Sequence, residues 1–261
     1  MLAAVPTSAR PAHAVRAALL VGVLALGGGL AACGDDDEPT ASTGTTAATT
    51  TDATTETATT ETAPAATTDE AAAPDGCRSV EQPEPDDDKT SVAEPRPARL
   101  SGQWRVTFTT SCGSFVVQLD TKRQPKTSAS VASLVRKRFY DGLGFVRIVP
   151  GFVIQGGDPL QNGTGGPGYS VTEEPPSDAA YTEGVVAMAK AANEAAGTSS
   201  SQFFVVTGAD SQLPPEYAIL GKVVKGLDVV KRIEGVGTSD PSGDGPPAQP
   251  VVIERAVLRR G

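Results

Sequence analysis

The clearest periodic signal starts about a hundred residues into the chain. Trp104-Arg-Val-Thr-Phe108 and Ser114-Phe-Val-Val-Gln-Leu119 read as strands, and the Ser111-Cys-Gly113 turn between them predicts a hairpin. Pro125-Lys-Thr127 then opens a helical pattern that puts Val131, Leu134 and Val135 on one face. Arg136-Lys-Arg138 closes it, where cations suit a helix C-terminus. After the turn Tyr140-Asp-Gly142 come two short strands, Phe145–Val149 and Phe152–Gln155, joined by Pro150-Gly151. Four more follow at Val185–Ala189, Gln202–Val206, Ala218–Val224 and Val251–Val257. A short helix around Asp228–Ile233 turns Val229, Val230 and Ile233 inward. Many short strands, frequent Gly turns and only two helices predict a mostly β fold, a closed antiparallel β-barrel with α-helices at its ends.

The chain ahead of this block has a different character. Arg10, His13 and Arg16 precede an apolar run from Ala17 to Leu30. Fourteen residues are too few to span a bilayer, which takes about 20, so the run reads as the apolar region of a signal peptide over residues 1–32. It ends in Leu30-Ala31-Ala32-Cys33-Gly34, which resembles the lipobox of bacterial lipoproteins, cut before a cysteine that is then lipidated. The other reading is a stray cysteine after an ordinary signal. From Thr40 to Ala73, 15 of 34 residues are Thr and 11 are Ala, and residues 34–76 contain no Leu, Ile, Val, Phe, Tyr, Trp or Met. Such a stretch buries too little apolar area to offset its ordering entropy, so residues 33–76 read as a disordered tether of roughly 35–40 Å root-mean-square span. Its Thr content is compatible with O-glycosylation.

Charge follows the same division. Residues 34–96 carry 16 Asp and Glu against 3 Lys and Arg, whereas residues 97–261 carry 15 against 17. The net charge of −9 therefore belongs to the tether, and a near-neutral folded block lacks the cationic excess that nucleic-acid binding requires. Apart from Cys33 there are two cysteines, Cys77 and Cys112. In an exported chain an even remainder reads as a disulfide, which would tie an extended segment, residues 77–98, onto the domain at 99–261; two free thiols are the alternative. The sole histidine, His13, lies in the signal, so Ser-His-Asp and Cys-His hydrolases, His general bases and His-ligated zinc are excluded. No Ser lies three residues before a Lys, so the Ser-x-x-Lys acyl-enzyme motif is absent too. Gly163–Gly168 lacks the Gly-Lys-Ser/Thr ending of a phosphate loop, and Gly235–Pro247, with Asp240 and Asp244, has no EF-hand spacing and reads as a surface loop.

Chemistry concentrates in Phe145-Val-Arg-Ile-Val-Pro-Gly-Phe-Val-Ile-Gln155, where Arg147 and Gln155 are the only polar side chains. A guanidinium among apolar neighbours is costly unless its five donors are accepted. Val153 and Gln155 alternate onto one face, which sets an apolar side chain beside an amide. The pattern alone fits a functional pair, and it equally fits an arginine snorkelling at a barrel rim with the glutamine in a bulge.

The order of motifs extends the argument. Phe139-Tyr-Asp-Gly142 and Phe145 to Asp158 are followed by Asn162-Gly-Thr-Gly-Gly166, Gly184-Val-Val-Ala-Met-Ala189, Ser201-Gln-Phe-Phe204 and Leu220-Gly-Lys-Val-Val-Lys-Gly226. In this combination, over residues 102–258, the block resembles the cyclophilin-type peptidyl-prolyl cis-trans isomerases. The resemblance implies an eight-stranded antiparallel barrel capped by two helices. It implies Arg147 as the catalytic arginine, Phe152, Phe204 and Leu213 as the floor and walls of a proline pocket, and Gln155 bonded to the substrate backbone. Ala189 and Lys190 would flank the residue before proline, with Gln202 behind them near Arg147. Compared with the best-known eukaryotic members, Val146 stands for a His, Val153 for a Met, Lys190 for an Asn, Gln212 for a Trp and Tyr217 for a His. Tyr217 keeps an aromatic body beside the pocket, and Gln212 occupies the place of the tryptophan that the family ties to cyclosporin.

The expectation is a monomeric isomerase without cofactor or metal that acts on proline-containing polypeptides outside the cytoplasm, held to the membrane by a lipid on Cys33. Its competitor is a non-catalytic barrel that binds proline segments as a chaperone. X-Pro rotation needs no covalent step or proton transfer, so a folded block without histidine is suited to it.

Overall fold

A computed structural model describes residues 76–96, 100 and 102–261. The expected signal peptide, Cys33 and the tether up to residue 75 lie outside the described residues. Ten strands and two α-helices follow a short 3-10 turn at Asp87–Ser91. Strands β1 (Trp104–Thr110) and β2 (Gly113–Leu119) form the hairpin, helix α1 (Pro125–Arg136) follows, and β3 (Phe145–Val149) and β4 (Val153–Gly156) form a second hairpin. Then come β5 (Val171–Thr172), β6 (Val185–Met188), β7 (Thr198–Ser199), β8 (Phe203–Val206), β9 (Ile219–Lys225), α2 (Leu227–Gly235) and β10 (Ile253–Arg260). Eight strands make one antiparallel sheet in the order β10-β1-β2-β9-β6-β8-β4-β3, and β5 pairs with β7 apart from it.

The sheet curls into a half-barrel, and the closed barrel expected from the sequence is not formed. Its end strands, β3 and β10, make no ladder with each other. They meet only at their beginnings, through a bridge at Gly144–Val252 and the bonds Phe145 N–H to Val251 O and Ile253 N–H to Leu143 O. Two features part them beyond that point. A bulge between Phe145 and Arg147 bends β3. Farther on, the free edge of β3 is taken at Ile148 by Gly245, from the loop that leads into β10.

Alternation along the strands divides the apolar residues between two clusters. The main core lies on the face that carries both helices, with Phe108, Phe115, Tyr140, Ile148, Ile154, Phe203 and Leu220 against Val131 and Leu134 of α1 and Val230 and Ile233 of α2. The helix faces are those read from the sequence. Phe203 packs on Phe108 at 5.2 Å and meets Tyr140 edge-on at 5.9 Å. Helix α1 begins at Pro125, and its next two amides, Lys126 and Thr127, donate to the Glu173 carboxylate at 3.1 and 2.8 Å. A remote anion thus caps the positive end of the helix.

The segment ahead of β1 is strapped to the domain. Cys77 is disulfide-bonded to Cys112 in the β1–β2 turn. Arg78 N–H donates to Ser111 O, Asp86 N–H to Pro159 O, and Val92 N–H to Pro167 O. In the chain-entropy model a closed loop of this length, 35 residues apart, stabilises the fold by roughly 3–4 kcal/mol. Among the described residues no helix is long and apolar enough to cross a membrane.

Candidate active site

Strand register assembles the polar pair on the face away from the helices. Arg147 of β3 stands opposite Gln155 of β4, Gln155 opposite Phe204 of β8, and Phe204 opposite Ala187 of β6. Directly opposed side chains on one face lie about 4.5–5.5 Å apart at Cβ, so these four form a row across four strands. The next row holds Val149, Val153 and Val206. Residues adjacent to them in sequence, Ile148, Ile154, Phe203 and Val205, point into the core. A guanidinium, an amide and an aromatic ring are neighbours here because the pleat has a period of two.

A second apolar cluster forms the floor of this face: Val153, Tyr181, Val185, Ala187, Phe204, Val206 and Ile219. Phe152, Ala189, Leu213 and Tyr217 pack against it while remaining partly open to solvent. Tyr217 meets Phe204 edge-on at 5.5 Å. Its backbone is held at both ends by one hydroxyl: Tyr181 Oη–H donates to Tyr217 O at 2.6 Å and accepts from Tyr217 N–H at 3.0 Å. Burial pushes the Tyr181 phenol above its ordinary pKa, so it stays protonated for this task. Gln212, exposed and in the left-handed region at φ 53°, turns the chain just before Leu213. Lys190 is nearly buried along its side chain, at 3 % exposure, and sets its Nζ 5.5 Å over the Tyr217 ring and 3.4 Å from Glu216.

The amide of Gln155 is oriented from below. Its Nε2 donates to Gln202 Oε1 at 2.9 Å. Gln202 Nε2 in turn donates to Gly163 O and Gly165 O at 3.0 and 2.8 Å. Only an amino group can face two carbonyls, so Gln202 must present its oxygen to Gln155. That leaves Gln155 one N–H and its own oxygen for a ligand. The two carbonyls come from a loop wound around the buried Asp158, whose carboxylate accepts N–H bonds from Leu160 and Asn162. A Cβ on Gly165 would lie 2.1 Å from Asp158 Oδ1, so the loop requires glycine at that position.

Arg147 is about a third exposed, at 32 %, and its partner is Asp244. Nε donates to Oδ1 at 2.5 Å and Nη2 to Oδ2 at 2.8 Å. The guanidinium holds the Asp244 carboxyl below the usual carboxylate range, against a smaller opposing push from burial and from Asp240.

The row therefore unites Arg147, Gln155 and Phe204, with Phe152, Val153, Leu213, Tyr217, Ala189 and Lys190 around it. Gln202 touches Gln155, while the group on Arg147 is Asp244. Two contributors, Tyr181 and Asp244, were not singled out as site residues in the sequence. Tyr181 left no signal beyond being an aromatic among polar residues. Asp244 stood in a loop whose acidic spacing suggested only a rejected calcium site. Chemically, the arrangement offers fixed N–H donors beside an apolar wall, with no nucleophile or base between them.

Fold and site together define a curled antiparallel β protein whose outer face sets fixed guanidinium and amide donors beside an apolar wall. A family model described as cyclophilin type peptidyl-prolyl cis-trans isomerase/CLD matches residues 105–258, and the chain belongs to that family, enzymes that accelerate cis-trans isomerisation of X-Pro bonds. The peptidyl-prolyl cis-trans isomerase ppi1 of Schizosaccharomyces pombe is 38 % identical over 156 residues, which covers 58 % of this chain and 97 % of that protein. The probable peptidyl-prolyl cis-trans isomerase B of Mycobacterium tuberculosis is 33 % identical over 195 residues, 67 % of this chain and 62 % of that protein. Among solved structures, a cyclophilin-type isomerase of Cryptosporidium parvum has 28 % identity and a TM-score of 0.56, covering 61 % of this chain and 99 % of its own. The same protein has been solved in the presence of the dipeptide Ala-Pro, with a TM-score of 0.55 to this chain.

Proposed function

We propose that Arg147, Phe152, Gln155 and Phe204 carry the isomerisation, acting on proline-containing segments of exported proteins. The observation that supports this most strongly is the register row Arg147–Gln155–Phe204. Rotating a peptide bond costs about 18–20 kcal/mol, and the barrier falls when amide resonance is already broken. At the twisted midpoint the prolyl nitrogen's lone pair, delocalised into the carbonyl in a planar amide, becomes localised and can accept a hydrogen bond. An Arg147 N–H aimed at that nitrogen stabilises the midpoint more than either planar form, which is the differential that catalysis requires. Phe152, Phe204 and Leu213 hold the ring, and the free N–H and oxygen of Gln155 hold the chain, so one half turns against an anchored other half. Ala189 and Lys190 flank the residue before the proline, while Val153 and Tyr217 pack with Phe204 beside the ring. A solved relative crystallised in the presence of Ala-Pro supports a short X-Pro peptide as the ligand class. One chain supplies the whole row, which supports a monomeric enzyme.

Two further features support the cellular setting. The Leu30-Ala-Ala-Cys33 sequence after a short apolar run is that of a lipidated export signal, and a disulfide at Cys77–Cys112 suits an oxidising compartment. The enzyme is then held outside the cytoplasm by a lipid on Cys33, with the Thr/Ala-rich stretch as its tether. A protease-coupled assay on X-Pro peptides tests the catalytic part: rate enhancement supports it, and saturable binding without enhancement would leave a proline-binding module. Detergent-phase partitioning tests the setting, and Cys33→Ser should move the protein to the aqueous phase.

A further inference from the structure

The loop between α2 and β10 reaches the site at one point. Gly245 lies on the free edge of β3, with Ile148 N–H donating to Gly245 O at 2.8 Å and Gly245 N–H to Ile148 O at 3.4 Å. In such an antiparallel bridge the residue before Gly245 sits diagonally across from the residue before Ile148, a separation that long side chains span. Those residues are Asp244 and Arg147, and they form the bidentate ion pair already described.

The loop is built to hold this position. Thr238 Oγ1 donates to Pro246 O at 2.7 Å, Ala248 N–H to Gly237 O at 3.1 Å, and Ser242 N–H to the Asp240 carboxylate at 2.8 Å. A Cβ on Gly245 would come within 2.7 Å of Asp240 Cβ, so the close approach requires glycine there. Asp244 itself is 45 % exposed, which makes the pair a weak contributor to stability.

Its geometry matters more than its strength. Asp244 takes Nε–H and one Nη2–H, and among the described residues no other partner of the guanidinium is found. Two Nη1 hydrogens and one Nη2 hydrogen are left, on the two sides of the guanidinium that the carboxylate does not occupy. An unrestrained arginine carries about 2 kcal/mol of rotamer entropy, and a planar bidentate clamp removes much of that freedom before substrate arrives.

We propose that Asp244 is a positioning residue for the isomerisation: it clamps Arg147 along its Nε/Nη2 edge and presents the Nη1 edge to the prolyl nitrogen. The proposal rests on the role given to Arg147 above. A double-mutant cycle on the full chain tests both separately, with X-Pro peptide exchange measured by NMR line shapes and melting temperature in parallel. Asp244→Ala should lower kcat about 10-fold with KM little changed and the melting temperature within a degree or two. Asp244→Glu should recover part of the loss. The double variant Arg147→Ala/Asp244→Ala should be no slower than Arg147→Ala alone, because Asp244 acts only through Arg147. The Arg147 Nε–H resonance should lose its downfield shift in Asp244→Ala, a readout independent of turnover. Wild-type kcat in Asp244→Ala, or a loss that multiplies fully with that of Arg147→Ala, overturns the proposal while leaving Arg147 in place. Wild-type exchange by Arg147→Ala overturns both.

Discussion

Toward the core, β4 turns Ile154 and β8 turns Phe203 and Val205, all shielded from solvent. Toward the other face the same strands turn Gln155, Phe204 and Val206, and β3 adds Arg147. The inner residues meet helix side chains; the outer ones meet loops, at Leu213, Tyr217 and Asp244. The inner set is buried throughout, whereas the outer set combines buried Phe204 and Val206 with the partly exposed Arg147 and Gln155. A substitution moved one residue along a strand therefore changes which property suffers. On the proposed mechanism, inner positions should govern stability and outer positions turnover.

The largest effect that probes this contrast is expected at Phe203, which packs on Phe108, Tyr140 and Phe145. Phe203→Ala should destabilise the fold by about 3–5 kcal/mol in chemical denaturation, with activity per folded molecule largely kept. A smaller shift would mean that the inner face is loosely packed. Next is the strap. Cys77→Ser/Cys112→Ser should lower stability by roughly 2–4 kcal/mol, again with little change in turnover of the folded enzyme. An equal loss of turnover would show that the strap reaches the site.

Gln202 lies between the two regions, buried yet bonded to the outer row. Gln202→Ala strands the carbonyls of Gly163 and Gly165 and frees Gln155. It should cost about 1–3 kcal/mol in stability and also raise KM, the one substitution expected to affect both properties. The smallest effect is that of pH. The folded Asp244 carboxyl lies below its ordinary value, so its contribution is present above the unfolded value of about 3.9 and is lost only as pH falls through the folded one. With the single histidine at position 13, kcat/KM should stay flat from pH 5 to 8. A midpoint inside that window, in a buffer series at constant ionic strength, would point to a titrating group absent from this account.

Local pattern carried much of the fold. The eight long strands and two helices stand within one to three residues of where alternation and the Pro125 and Arg136 signals put them. Strands β5 and β7 were invisible because two residues cannot display a period. Closure was misjudged for a different reason: it depends on whether β3 and β10 meet, and a bulge at Val146 and the Gly245 contact decide that, neither of which a strand count registers. At the site, Val153 and Gln155 were legible as one face from period two alone. Pairing β4 with β8 and β8 with β6 joins residues far apart in the chain, so the row that brings Phe204 to Gln155 had no local signature. The Arg147–Asp244 pair spans 97 residues and arises only once a loop has docked on a strand edge.

The most direct test is NMR exchange of an X-Pro peptide by Arg147→Ala beside the unaltered protein, with both shown to be folded. Arg147→Ala should lose at least about 100-fold in kcat/KM, some 2.7 kcal/mol of transition-state stabilisation, at unchanged stability. Exchange at the unaltered rate would contradict it.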